Sequence, residues 1–417
     1  MKFITQLRGT SAIWAAPIAT ALALFYFLEA RFPADHYGWA PTIVSDALGP
    51  IPSFAYAVVA GLAAWECGRL KAAKIWNIAL GRSRYRVAAN ALVLPVLISW
   101  WMLVLPVLLA LSAAGALPTA ASLRPLLMAM ALCVAHAAVG CAAGLYAPRA
   151  IAFPLVSVGV FMAIAFSAGS TSYWPRHVSG QLRQTPILGE LISWDITLAP
   201  VLFGGSVAVA AVLLWFPTRL VALRVLLACA VASAGTAGAR GMVDDWDHSG
   251  PIVTGLAPMA CKGSEPKVCV PRATSAHLDT ALGDTDYVLD ELRSAGVESQ
   301  PRTVTDTLTG DLTHADPAPG TWYVDLTKGV EAGDLRYRLA IAAVRFRCSR
   351  PDLEIRHTLR LWATTAVGEN GRYEARMRGF PTAVAARSEV ARVSAMSRDE
   401  QADWYRQRST DACHRVT

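Results

Sequence analysis

The side chains with most chemistry in the first half of the chain lie between two apolar runs, where Glu66 and Arg69 are followed by Lys71, Lys74, Trp76, Arg82, Arg84 and Arg86. One carboxylate among cations, with Leu70, Ile75, Trp76 and Leu80 interspersed, has neither a nucleophile with its base nor a metal-ligand set. It has the composition of an amphipathic helix at a membrane face, which meets lipid headgroups or a protein partner. A plain connector between spans needs only a few residues, and this one has about 20. The competing reading is a positively charged anchor and nothing more.

Cysteines form the second set. Cys67, Cys133, Cys141 and Cys229 lie in or beside apolar runs and are expected to behave as small hydrophobes. Cys261, Cys269, Cys348 and Cys413 lie in the polar half, where four cysteines permit three connectivities; Cys261 with Cys269 and Cys348 with Cys413 is preferred, because Lys262-Gly263-Ser264-Glu265-Pro266 is turn-like. Neither pair has the two-to-four-residue spacing of a zinc knuckle. Asp244, Asp245, Asp247 and His248 could ligate a metal, but a solvated collar is the reading taken. His277, His314, His357 and His414 are scattered, and Arg336, Arg338, Arg345, Arg347, Arg356 and Arg360 either hold an anion or form a solvated face. Zincin, nucleophile-elbow and phosphate-loop patterns are missing from the sequence. No enzyme activity, metal or cofactor is therefore expected.

These residues have to be positioned by a chain that is 54% hydrophobic and only 17% charged, too apolar for an ordinary soluble protein. Residues 1–239 carry a net +9 and residues 240–417 a net −2, so the basic excess sits between apolar runs instead of on a soluble face, and nucleic-acid binding is excluded. A bilayer core needs about 20 apolar helical residues. Seven runs qualify, near 12–30, 51–66, 87–113, 125–147, 150–168, 199–216 and 220–239. With the N-terminus inside, the inner segments hold eleven Lys and Arg against four outside. That bias places the N-terminus in the cytoplasm and everything after Arg240 outside the plasma membrane. The first run has no small-residue cleavage site and is read as a span. His136 is the one ionisable group deep in a run, and Pro95 and Pro106 are expected to kink the third.

In the polar half, Leu278, Ala281, Leu282, Val288, Leu289 and Leu292 recur at helical spacing, with a stop at Gly296 and a break at Gly283. Alternation over 336–348 and 353–365 around Ser349-Arg350-Pro351-Asp352 reads as a β-hairpin, with a third strand over 372–380. Ser397 and Glu400 form a capping box for a last helix that carries Cys413 and is stapled to that sheet. The fold expected is a polytopic all-α membrane bundle of about seven transmembrane helices (1–239), a linker or collar (240–272) and a small extracytoplasmic α+β domain (273–417).

Glu66 at the inner end of the second run, the Gly68-Arg69-Leu70 step and the Ser83-Arg84 pair resemble the loop after the second span of ABC-2 type export permeases. The segment from Ala168 to Leu198, with its short apolar pieces, looks like the outer re-entrant hairpin of that family. The resemblance covers about residues 1–216; a seventh run and the C-terminal domain go beyond the family pattern. It implies a permease subunit that dimerises with itself or a second permease and couples to a separate ATP-binding subunit, with Glu66, Arg69, Trp76, Arg82 and Arg84 as contacts. The alternative from a different class is a membrane-tethered extracytoplasmic binding or sensing protein.

Overall fold

Apolar runs of this length leave their backbone polar groups nothing to bond to but each other, so they coil into helices. A computed structural model describes residues 10–29, 36–49, 51–75, 83–182, 184–216, 220–297, 301–309, 320–346, 348, 351–380 and 382–414. The chain divides into two units, 1–253 and 254–417. The expected collar over 240–272 is therefore divided between them.

In the first unit the helices are α1 (Ala12–Glu29), α2 (Ala40–Leu48), α3 (Ile51–Ala72), α4 (Arg84–Ala114), α5 (Arg124–Tyr146), α6 (Arg149–Ser167), α7 (Trp174–Val178), α8 (Trp194–Leu214) and α9 (Val221–Val243). Six of them, α3 to α6, α8 and α9, are long and apolar enough to cross a membrane; α1 is apolar but shorter. This is compatible with a multi-pass membrane protein. Helix α4 runs unbroken through Pro95 and Pro106. Helix α2 was not foreseen: at nine residues it is too short for a span, and Thr42, Ser45 and Asp46 hide its apolar content, yet Ile43, Val44 and Leu48 are buried.

Helix α3 is the axis of this unit, with most of its apolar window enclosed by protein. Small residues let other helices reach its backbone: a Cβ on Gly140 or Gly144 of α5 would lie 2.0 Å from the Ala60 or Ala64 carbonyl oxygen, and one on Gly61 would lie 2.0 Å from Ser157 Oγ of α6. Small residues four apart on two facing helices are the usual means of close approach inside a bilayer. Between α6 and α8 the chain is mostly irregular and lies against the bundle. Gly180, Pro186 and Glu190 offer carbonyls that accept from Tyr56 Oη (3.1 Å), Thr42 Oγ1 (2.7 Å) and Trp39 Nε1 (2.9 Å). The segment ends in a two-residue strand, β1 (Leu191–Ile192), antiparallel to β2 (Ile252–Val253).

The second unit has a four-stranded sheet in the order β3 (Met259–Lys262), β4 (Lys267–Pro271), β5 (Thr303–Asp306), β6 (Thr321–Val324). The first pair is antiparallel and the other two are parallel. Parallel neighbours need a long crossover, which α10 (Leu278–Ser294) supplies between β4 and β5. Its Ala281, Val288, Leu289 and Leu292 are buried against the sheet residues Val268, Val270 and Val304. The helix passes through Gly283 without a break and stops before Gly296, which has φ +86°.

After the sheet come α11 (Leu326–Ala332), α12 (Leu335–Ala343), α13 (Leu353–Ala366), α14 (Asn370–Arg376), α15 (Thr382–Ser394) and α16 (Arg398–His414). The expected hairpin over 336–348 and 353–365, and the strand over 372–380, are thus overturned: those stretches form α12, α13 and α14. Two signals were misread. Asp352 is not a turn residue but the N-cap of α13, its carboxylate accepting from Ile355 N at 3.0 Å. Buried Leu335, Leu339, Ala340 and Ala343 follow helical spacing, and the alternating arginines between them imitate a period of two. At α16 the capping box forms as expected, with Ser397 N donating to Glu400 Oε2 (2.9 Å) and Glu400 N to Ser397 Oγ (3.4 Å). Trp404, edge-on, and Tyr405, tilted, then pack against the buried Trp362, with centroids 5.8 and 5.1 Å away.

Candidate functional site

Helix α3 does not stop at Glu66. It continues for nearly two more turns, so Glu66 and Arg69 stand on a helix and not in a loop. Glu66 is 0% exposed: Oε1 accepts from Ser11 N (3.0 Å) and Ser11 Oγ (2.7 Å), while Oε2 pairs with an Arg69 guanidinium nitrogen at 2.6 Å. Both of its oxygens are thus engaged within the chain. It ties the start of α1 to α3 and fixes the direction of Arg69, whose side chain is 38% exposed. Arg84 stands exposed at the first residue of α4, beside exposed Ser83. Trp76 and Arg82 lie outside the described residues.

Beside Glu66 is a feature the sequence reading missed. Cys67 and Cys141, expected to be free, stand at disulfide distance (S–S 2.16 Å, Cα–Cα 5.2 Å) and link α3 to α5. The available signal was depth: with alternating spans α3 and α5 run the same way, and each cysteine sits near the same end of its run. In the topology expected from the charge bias this end is cytosolic, where glutathione opposes disulfides. Both side chains are buried, however, and exchange requires access of the attacking thiolate.

Helices α5, α6, α7 and α8 form an open pocket of about 280 Å³, lined by apolar side chains including Leu132, Ile164, Val178 and Phe203, together with His136. His136 Nδ1 lies 2.8 Å from the Leu132 carbonyl oxygen, which can only accept, so Nδ1 carries a proton and Nε2 is the acceptor in the neutral ring. The imidazole stacks on Tyr56 at 4.8 Å, and the Tyr56 hydroxyl donates to Gly180. Through Tyr56 the imidazole is thus linked to Gly180, just after α7.

Of the residues expected as an acidic collar, Asp244 pairs with Arg240, the His248 ring meets the Arg176 guanidinium at 2.9 Å, and His177 Nε2 bonds the Asp247 carbonyl at 2.9 Å. The first contact lies at the end of α9 itself; the other two tie α7 to the segment just after α9.

In the second unit Cys261 with Cys269 and Cys348 with Cys413 stand at disulfide distance, the pairing preferred from sequence. The first closes the β3–β4 hairpin, where the two residues are register partners. The second joins the connection between α12 and α13 to α16, and not a helix to a sheet. At the carboxyl ends of the parallel strands Asp306 is fully buried and accepts from Leu308 N (3.1 Å) and from Thr327 N (2.8 Å) and its hydroxyl. Burial pushes its carboxyl above the usual range, against those hydrogen bonds. Through these donors it fastens β5 to the first turn of α11.

The arginines once assigned to strands separate into two groups. Arg336 pairs with Asp284 (2.7 Å), Arg338 with Asp325 and Asp334 (2.7 and 2.6 Å), and Arg345 lies over the Trp322 ring. Arg356 and Arg360 make no ion pair among the described residues, and Arg347 lies outside them. Arg356 and Arg360 are sequence neighbours of His357 and Leu361, which line a cleft of about 480 Å³ between α13, α14 and α15. His357 Nδ1 and Tyr373 Oη meet there at 2.9 Å. Burial pushes the Tyr373 phenol up to about 12, and burial, with Arg356 and Arg360 adding to it, holds the His357 imidazole below its usual value. The phenol therefore donates and neutral His357 accepts at neutral pH.

One family model matches the chain, described as a domain of unknown function (DUF7224), over residues 268–413. The second unit is similar to that domain from within β4 almost to the end of α16. No curated protein and no solved structure matches the chain.

Proposed function

We propose that the chain is the permease-like subunit of an ABC-type export system, driven by a separate ATP-binding subunit that docks around residues 66–86. The observation that carries this reading is the irregular segment between α6 and α8, which lies on the bundle through three side-chain-to-carbonyl hydrogen bonds. A bundle that merely anchors has no use for such a closure, whereas a permease must shut one end of its path. In this reading Arg69 and Arg84 meet the ATPase, Glu66 positions Arg69, and the subunit works as a dimer with itself or a second permease. The N-terminus is cytoplasmic and the second unit extracytoplasmic, in keeping with the charge bias.

Purification of tagged full-length protein from native membranes, followed by mass spectrometry and an ATP hydrolysis assay, tests it. A nucleotide-binding subunit should co-purify, and the double variant Arg69→Glu, Arg84→Glu should lose it while remaining inserted. Repeated absence of such a subunit with the unaltered chain overturns the proposal. The cleft in the second unit favours a second reading, a membrane-tethered binding protein, which that outcome would leave standing.

A further inference from the structure

The cleft between α13, α14 and α15 combines two features. Its walls include Leu361, Met377 and Ala386, and Phe380 and Val384 leave large apolar surfaces exposed (52% and 68%) at its margin. Its volume, about 480 Å³, is within the range of small-molecule sites.

The second feature is uncompensated positive charge. Arg378 and Arg387 line the cleft, and Glu374 is the one acid beside them. Arg356 and Arg360, one helical turn apart on α13, flank the lining residues His357 and Tyr373. Both have a buried Nε without a hydrogen-bond partner, and burial, with Arg356 adding to it, lowers the Arg360 guanidinium from its ordinary value. None of these four arginines forms an ion pair among the described residues, whereas Arg336, Arg338, Arg372, Arg376 and Arg408 of the same unit each reach a carboxylate. Like charges a helical turn apart repel, and Arg356 and Arg360, half-buried with unused Nε donors, lose hydration without recompense unless an anion answers them, while Arg378 and Arg387 are exposed at the cleft, with Arg387 Nε donating to the Ala383 carbonyl at 3.2 Å.

We infer that this cleft binds a small amphiphilic anion, a carboxylate or phosphate monoester held by Arg378 and Arg387, with its apolar chain or ring against Leu361, Met377 and Phe380. Arg356 and Arg360 supply a positive field behind it, and guanidinium forks suit such oxyanions. The inference concerns the second unit alone and needs no ATPase partner, so it can fail or succeed independently of the transport reading.

The test is calorimetric titration of the full chain in phosphatidylcholine nanodiscs, with empty discs as the blank. Octyl phosphate should bind at one site, and octanol and inorganic phosphate, each lacking one half of the ligand, at least about tenfold more weakly, the loss of one charge-assisted hydrogen bond or of a buried apolar chain. The exposed double variant Arg378→Ala, Arg387→Ala should weaken octyl phosphate about tenfold or more. Phe380→Ala should weaken octyl phosphate and leave inorganic phosphate unchanged. Peptide mapping that recovers the Cys348–Cys413 pair verifies that each variant is folded. Adding phosphatidylglycerol to the disc separates two sources: competition marks a bilayer lipid as the ligand, and unchanged affinity marks a soluble anion. Octanol binding as tightly as octyl phosphate, or an arginine double variant with unaltered affinity, overturns the inference.

Discussion

Glu66 shows how far a residue's type can be read without its surroundings. A carboxylate at the end of an apolar run among cations was legible as an interfacial contact; that it would turn inward to Ser11 was not, because nothing local distinguishes a buried carboxylate from an exposed one. Glu66→Ala strands the Arg69 guanidinium and the Ser11 donors, and should cost about 1–3 kcal/mol, read as a lower melting temperature in detergent, with the N-terminal segment more open to protease. A second residue sets a pH dependence. His357 is held below its ordinary 6.5 by burial first and by Arg356 and Arg360 next. The folded state therefore takes up fewer protons than the unfolded state as pH falls below about 6.5, so the stability it contributes is complete above that pH and is lost on acidification through the folded value. Melting curves between pH 8 and 5 should show a smaller acid-induced drop in His357→Gln than in the unaltered protein.

Elements were read well where a single period dominated. The apolar runs and α10 were legible because nothing else produces 20 uncharged residues or a buried stripe at Ala281, Val288 and Leu292. Helices α12 to α14 were not, because arginines on alternate positions gave the pattern of a strand while Asp352, the capping signal, lay inside what looked like a turn. The pairing of Cys348 with Cys413 survived that error, since it depends on which ends meet and not on what lies between. It closes a loop of 65 residues between α12 and α16. Its removal by Cys348→Ser should cost about 2–4 kcal/mol, and the place to look is hydrogen exchange, where amides of α16 should lose protection before those of β4 and β5.

For the molecule as a whole, the division between an apolar unit and a polar one followed from charge alone, but the internal order of the apolar unit depends on residues that carry no charge or pattern. Gly140 and Gly144 look like any small residues in an apolar run, yet a side chain on either would meet the backbone of α3. Gly144→Val should separate the two helices and lower the fraction of protein in which Cys67 and Cys141 are linked, measured by non-reducing peptide mapping. An unchanged fraction would mean that the contact is not what holds them together. Interlocked along Gly140 and Gly144 and joined by sulfur at one end, α3 and α5 can neither slide nor swing past each other. Mechanically they are one beam, and any opening of this bundle has to come from the remaining helices pivoting around it.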